Sequence, residues 1–593
     1  MLRGSSPRGL TPLLGLLILL AQSCSRPPLR DVIRHIPPEW PYSLTGPAEE
    51  NARGMVATDA PLATAAGVEI LEAGGNAVDA AIATCFALAV VFPEAGNIGG
   101  GGFAVVRLAD GTVSSLDFRE RAPGAAHASM YLDSLGKLTD GSTVGHLASG
   151  VPGSVAGLWE LHRTYGALSW PSLLARAIQY AEEGFPVDER FVSVIRADSA
   201  RLWRFPASRA LFFPSGRAPD VGDRWRNTRL GEVLRRIGAR GREGFYQGET
   251  ALLLIHEMVR GGGLITEKDL RHYRAKWRTP MVFSYRGLRI FSMGPPSSGG
   301  FTLAMIAHMV EPYDVGGLGW GSSAGLHLLA EAMRRSFAVR NRYLGDPDLV
   351  EIPDSVLLSP SFAARLGTSI DDDRATPSVE IRPDLPGHEG EHTTHLSIVD
   401  GAGNAIALTT TINDLFGSGV TVEGGGFLLN NEMDDFTLKP GTANSFGLVQ
   451  GTANMIAPGK RMLSAMTPTV VEDSTGKLLL VTGARGGPTI ISAVAQIISN
   501  VVDHGLGIDA AVRLPRIHHQ HLPDVLRYEP GGFPPEVLDE LNERGHQLEA
   551  RGYVGVAPSV MRRDSIWLGT HDPRVPGSAR GPGDAHASPG VIP

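Results

Sequence analysis

Apolar and polar positions change rhythm along this chain at about residue 393. Before that point the apolar runs are long and spaced for helices; after it, shorter alternating runs predict strands. In AVDAAIATCFALAVV, residues 77–91, no polar face is left, so the helix it forms is buried on all sides. Ahead of it, Asp59 stands where it can cap a helix that stops at Gly74 and Gly75. Residues 103–108 and 112–118 alternate around Asp110 and Gly111, which predicts a hairpin. A helical middle, roughly 150–285, mixes amphipathic patterns with many arginines. FSMGPPSSGGFTLAMIAHMVEPY then gives a glycine-marked start and a second buried helix.

Past residue 393, strands over 393–400 and 405–413 flank a Gly-Ala-Gly-Asn turn. Residues 467–472 and 477–482 flank Asp473 to Gly476 in the same way. A long apolar helix is expected over 488–504 and a shorter one over 535–542. Buried helices beside strand pairs from both parts of the chain suit a layered α/β fold. There is no internal repeat, and residues 581–593, rich in Gly, Pro and Ala, read as a loose tail.

With 593 residues, a large core or two tightly joined parts are expected. A hydrophobic share of 42% and a charged share of 20% suit a globular protein, and a formal charge of −8 makes no case for nucleic acid or anionic membrane. Residues 1–23 place Arg3 and Arg8 before an apolar run, 13–21, that is too short to span a bilayer, the pattern of an export signal. Removing it subtracts two arginines and no acid, taking the formal charge to −10. Ala21, Gln22, Ser23 and Cys24 also resemble a bacterial lipobox, with Ala21 where Leu is usual. A periplasmic or extracellular protein is therefore expected, with Cys24 as the one candidate for a lipid anchor. The Pro- and Arg-rich stretch 24–49 reads as a tether. Cys85, the only other cysteine, falls inside the buried helix, so an inert thiol and no internal disulfide are expected.

Three runs look chemical and are discounted. His388-Glu389-Gly390-Glu391-His392 fits HExxH, which needs both histidines on one helical face. Pro383, Pro386 and Gly387 before it, and Gly390 within it, disfavour a helix; an accessible, cleavable loop ending at His392 fits better. Asn97 to Phe103 lacks the spacing and lysine of a phosphate loop. His518, His519 and His521 point in diverging directions with no Cys or acidic cluster beside them. No metal or organic cofactor is implied.

The informative stretch is 393–436, TTHLSIVDGAGNAIALTTTINDLFGSGVTVEGGGFLLNNEMDDF. A threonine hydroxyl is a poor nucleophile without a base, but a chain cut before Thr393 would supply one in the new α-amine, of pKa ~8. This stretch resembles the start of the small subunit in the γ-glutamyltransferase family of N-terminal-nucleophile hydrolases, and the resemblance extends over roughly 50–580. It implies a four-layer αββα sandwich. It also implies a precursor that splits between His392 and Thr393 into a large subunit, 50–392, and a small catalytic subunit, 393–593. The two subunits would stay associated.

The same resemblance implies the site. Thr393 is the nucleophile and Thr411 orients it. Gly486 and Gly487, just ahead of a helix start, offer amides to the oxyanion. A γ-glutamyl group carries an α-carboxylate and an α-ammonium, so both a cation and acids are needed. Arg119, with Arg121 the lesser candidate, and Ser464 match the carboxylate-binding positions; Asn413, Glu432 and Asp435 match those for the ammonium. Phe446 stands at the aromatic gate of a lid loop over 436–460. Ser464 is followed by Ala465 where many members have Ser-Ser, so one hydroxyl is missing, a loss of about 1.5–3 kcal/mol if nothing replaces it.

The implied substrates are γ-glutamyl small molecules such as glutathione, with water, amino acids or dipeptides as acceptors. Two alternatives stand beside this: an acylase of the same family acting on glutaryl-type amides, and an uncut lipoprotein that only binds such compounds.

Overall fold

The computed structural model describes residue 32 and residues 34–381, 393–445 and 447–584. The export signal, Cys24, the HExxH run with His392, Phe446 and the last nine positions of the tail lie outside the described residues.

Seven of the principal strands precede Thr393: β1 (Glu49–Asn51), β2 (Gly54–Thr58), β3 (Gly101–Arg107), β4 (Val113–Asp117), β5 (Lys276–Arg278), β6 (Met281–Tyr285) and β7 (Leu288–Ser292). Seven follow it: β8 (Thr394–Asp400), β9 (Ala405–Thr411), β10 (Thr469–Glu472), β11 (Leu478–Thr482), β12 (Ser559–Arg563), β13 (Ile566–Thr570) and β14 (Ser578–Arg580). They form two sheets, ordered β14-β2-β8-β9-β3-β4-β5 and β1-β13-β12-β11-β10-β7-β6. Each sheet therefore takes strands from both sides of residue 393.

Three apolar cores separate four layers. Met55, Ala57, Val105, Val399, Ala407, Val470, Val481 and Trp567 fill the space between the sheets. The outer face of the first sheet packs on α1 (Pro61–Glu72), α2 (Ala77–Val91), α3 (Ser154–Tyr165), α4 (Trp170–Glu183) and α5 (Thr228–Arg240). The outer face of the second packs on α6 (Gly299–Val310), α7 (Ser323–Tyr343) and α8 (Thr489–Val502). This is the αββα sandwich that the resemblance implied.

Helix α2 is buried along its whole length, and burial pushes the Cys85 thiol pKa up, away from reactivity. Asn76 and Asp79 form a capping box at its start, and the Asp400 carboxylate from the β8–β9 turn accepts the Ala77 N–H at 3.0 Å. The same carboxylate accepts from Asn404 N at 3.0 Å and Asn404 Nδ2 at 2.7 Å. One acid thus ties the hairpin turn to the helix beneath it.

Asp59 is a correction. It does not cap α1, whose N-cap is Ala60 with Pro61 opening the helix. Its carboxylate is buried, accepts from Thr394 Oγ1 at 3.2 Å and lies 3.5 Å from Arg485 Nε. Strand β9 stops at Thr411, two residues early, because Asn413 turns into the left-handed region at φ 74°. The start of the tail is held, not loose: Asn51 Nδ2 donates to Asp584 at 3.1 Å, and Gly581 N donates to the same carboxylate at 2.6 Å. Within the stretch expected as a tether, Trp40 Nε1 donates to Arg513 O at 3.1 Å, and Arg574 lies over Trp40 and Tyr42.

The glycine run before β3 is structural. Asn97 donates to Thr411 O at 2.9 Å and accepts from Gly100 N at 2.9 Å, so the turn clamps the end of β9. A Cβ on Gly100 would overlap the Thr411 carbonyl oxygen. Gly100→Ala is expected to destabilise the fold by about 3 kcal/mol, because backbone on both sides must move. The urea unfolding midpoint measures this, and an unchanged midpoint would show that the turn gives way freely.

Candidate active site

Thr393 immediately precedes β8, which runs between β2 and β9 in the first sheet. An inner strand has neighbours on both edges, so its first residues are held more firmly than a loop could hold them. Thr393 is almost fully buried and lines a small cavity. Arg119, Thr411, Asn413, Asp435, Ser464 and Gly487 line the same cavity. Gly486 and Glu432 stand one contact behind it. Residues from distant parts of the chain, expected together, are brought together.

At the nucleophile's end, Arg485 leads into Gly486 and Gly487, whose φ values of 126° and 54° favour glycine. Among the described residues neither amide donates to a protein acceptor; the pair lies just before α8, where the amides of a helix start are unpaired. The Asp59 carboxylate, between Thr394 and Arg485, ties the nucleophile's strand to this turn. Burial pushes Asp59 up to about 6 against the pull of Arg485.

Thr411 ends β9 with its hydroxyl accepting from Asn413 N at 2.8 Å and facing the Glu432 carboxylate. The left-handed turn at Asn413 swings its side chain back, where Nδ2 donates to Asn431 O at 3.1 Å. A single turn of 3-10 helix, Glu432–Asp435, then presents two acids to Arg119. Arg119 Nη1 lies 2.5 Å from Glu432 Oε2, and Nη2 donates to Asp435. Glu120 Oε2 lies 3.5 Å from the same Nη1. One guanidinium therefore serves three buried carboxyl groups. Burial raises all three against the field of Arg119: Asp435 to about 6, Glu120 to about 8, and Glu432 well above the usual range.

Beyond Asp435, the stretch expected as a lid returns over the acids. Gln450 Nε2 and Asn454 Nδ2 donate to Asp435 O at 3.0 and 2.6 Å, and Leu448 forms one wall of the cavity. Opposite, Ser464 is held by backbone: its N–H donates to Pro296 O at 2.9 Å, and its carbonyl accepts from Ser298. Its hydroxyl accepts from Met466 N at 3.1 Å, which leaves the hydroxyl proton to donate. Ala465 contributes a methyl group to the wall.

Sequence reading missed Arg340. It comes from α7 and lines the cavity beside Ser464 and Ala465. The signal was there: Met333, Phe337 and Arg340 share one helical face, and a charge that interrupts an apolar stripe marks a buried ion. The discounted histidines are packing residues: His518 bonds Ser492 at 2.7 Å and His521 bonds two backbone carbonyls. Among the described residues no cluster of His, Cys, Asp or Glu has a metal-holding arrangement.

Comparison with known proteins gives a consistent result. The model of the Gamma-glutamyltranspeptidase family matches residues 63–581. A glutathione hydrolase proenzyme of Pseudomonas sp. (strain A14) is 44% identical over 497 residues, 84% of this chain and 86% of the relative. The glutathione hydrolase proenzyme of Escherichia coli (strain K12) is 42% identical over 526 residues, covering 88% and 90%. Among solved structures, a cephalosporin acylase from Bacillus halodurans superposes with a TM-score of 0.81 at 29% identity, covering 93% of this chain and 99% of that one.

The acid cluster predicts a stability test. Arg119→Met leaves three buried acids without their cation, an expected loss of about 3–5 kcal/mol at alkaline pH. Raised carboxyl pKa values mean that the folded state holds protons which the unfolded chain, titrating near ~4, has already released, so stability falls as pH rises through that window. The variant's deficit should therefore be largest near pH ~8.5 and shrink toward pH ~5 as the acids protonate. Urea midpoints at the two values check this, and a pH-independent deficit would contradict it.

Proposed function

The chain belongs to the γ-glutamyltranspeptidase family, and we infer from its site that it is an autoprocessing γ-glutamyltransferase that hydrolyses glutathione and related γ-glutamyl amides. The reading rests on one observation above all. A threonine at the head of an inner strand shares a cavity with glycine amides free to donate and with a guanidinium–carboxylate set matched to an amino acid's two charges.

In maturation, Thr393 Oγ attacks the carbonyl of His392. The C–N bond breaks as the acyl group passes to Oγ, which frees the α-amine of Thr393, and water then hydrolyses the ester to release the Thr393 hydroxyl and the His392 carboxylate. The two subunits stay together because each sheet contains strands from both. In catalysis the α-amine takes the hydroxyl proton as Oγ attacks the γ-carbonyl of the donor, with Thr411 beside it. Gly486 and Gly487 N–H groups receive the oxyanion, and the amine passes its proton to the leaving nitrogen. Water, an amino acid or a dipeptide then takes the γ-glutamyl group from Thr393. Asn413, Glu432 and Asp435 hold the donor's ammonium, and Arg119 and Ser464 its carboxylate. Leu448 and the loop around it limit access of water to the acyl-enzyme.

We place the enzyme outside the cytoplasm on its leader, with lipid on Cys24 as its one route to a membrane. No helix among the described residues is long and apolar enough to cross a bilayer.

A second reading has one observation in its favour. Ala465 removes a hydroxyl from the carboxylate end, and an acylase superposes well on the chain. An acylase acting on glutaryl amides needs the carboxylate site and not the ammonium site, whereas here three side chains are available for the ammonium.

Intact mass under denaturing conditions should give two species meeting at His392 and Thr393, the smaller beginning with Thr393. Thr393→Ala should remain one inactive chain, and normal cleavage of that variant would overturn the mechanism. Wild type should prefer γ-glutamyl to glutaryl p-nitroanilide; equal or better turnover of the glutaryl compound would favour the acylase.

A further inference from the structure

Two consecutive glycines hold no shape of their own, so the direction of the Gly486 and Gly487 amides is set by what flanks them. After them, Thr489 Oγ1 donates to Gly486 O at 2.6 Å. Before them, Arg485 exchanges backbone hydrogen bonds with Val556, at 2.9 and 3.0 Å. The Arg485 side chain runs on to Asp59, the residue after β2, where Nε lies 3.5 Å from Oδ2. That same oxygen accepts from Thr394 Oγ1 at 3.2 Å, one residue past the nucleophile. One carboxylate oxygen therefore touches both the strand that carries Thr393 and the turn that carries the oxyanion donors.

Packing alone does not account for this pair. The side chains of Asp59 and Arg485 are 1% and 6% exposed, and among the described residues Asp59 Oδ1 has no hydrogen-bond partner. Burying an acid with one oxygen unpaired is less stable than an apolar contact of the same size. The pair is nonetheless firmly seated. The guanidinium groups of Arg485 and Arg190 both lie over the Phe92 ring, 5.5 and 3.7 Å from its centroid, and Arg190 pairs with Glu94.

Resting on acyl transfer by Thr393 as read above, we propose that Asp59 and Arg485 are positioning residues that hold the Gly486 and Gly487 amides in register with the Thr393 hydroxyl, and that ionised Asp59 is the form that does so. Neither side chain lines the cavity, so their loss bears on the chemical step and not on donor binding. The charged groups facing Asp59 are Arg485 and Arg190, which favour its ionised form, and Asp572, which opposes it. Burial is the largest influence, and the balance puts Asp59 at about 6. Proton uptake below that value releases Arg485 from its partner.

The ratio of kcat between wild type and Asp59→Asn, with L-γ-glutamyl p-nitroanilide, tests this. The asparagine copies the shape of the protonated acid. Near pH ~8 the ratio should be about 10–100, with KM changed less than about threefold, because acylation and deacylation use the same amides. Near pH ~5 the wild-type acid is protonated as well, so the ratio should approach ~1. The α-amine titrates alike in both proteins and cancels. Arg485→Met should match Asp59→Asn at the higher pH, Arg485→Lys should recover part of the rate, and the double variant should lose no more than either single one. A ratio that is the same at both pH values, or a loss confined to KM, would overturn the proposal and leave the pair structural. If Asp59→Asn matures too slowly to assay, its cleavage half-time relative to wild type replaces kcat in the same comparison, since maturation uses the same hydroxyl. A wild type that prefers the glutaryl anilide overturns the substrate reading alone, and the same ratio with that donor then decides for Asp59.

Discussion

A guanidinium buried among three carboxyl groups is the interaction on which the site depends. Arg119 follows β4, before residue 393, while Glu432 and Asp435 come from the single 3-10 turn that follows β9 and its loop. Neither partner could be buried alone: an isolated charge in this core would cost several kcal/mol or lose its ionisation. Together they fix the distance between the two parts of the chain. The backbone reinforces this, since Arg119 N donates to Asp117 Oδ1 at 3.0 Å and Tyr273 donates to Arg119 O at 2.7 Å. The cluster is thus a joint between two parts of the chain as well as a wall of the cavity.

The sheets impose the second constraint. Because β8 and β9 run between β2 and β3, the hairpin that begins at Thr393 has edge contacts on both sides. A cut before Thr393 would free a chain end without freeing the strand. The nucleophile can therefore gain an amine while its position stays fixed, which an N-terminus on a loop would not allow. The oxyanion turn is tied to the same strand through Asp59, whose carboxylate bonds Thr394 and faces Arg485.

Much of this was legible from the chain, for physical reasons. The β8–β9 hairpin has a glycine turn and alternating residues, and α2 has no polar face, so both stood out. The sandwich did not, because β8 and β9 are buried on both faces and carry polar residues into the interior. His395 is fully buried, bonded to Thr409 and Ser397, and burial pulls its pKa down to about 3, so it packs as a neutral ring. On a sequence such residues read as solvent-facing. Asp59 was misread for a related reason. An acid just before a helix start satisfies the local rule for a cap, while its partner Arg485 is more than four hundred positions away. Arg340 was missed because the apolar stripe of α7 marks its burial and not the cavity it lines.

The two arginines of the cavity show why position decides more than type. Both are buried, and both stand near Asp435. Arg119 is surrounded by acids, and its carboxyl partners gain a fixed geometry from it. Arg340 is bonded only to neutral oxygens, and Asp435 is the acid whose field reaches it. A zwitterionic donor needs an acid end and a basic end kept apart, since mixed charges would cancel before the substrate arrived. Arg119 and Arg340 precede residue 393 and Asp435 follows it, so the charges that line the cavity come from both parts of the chain.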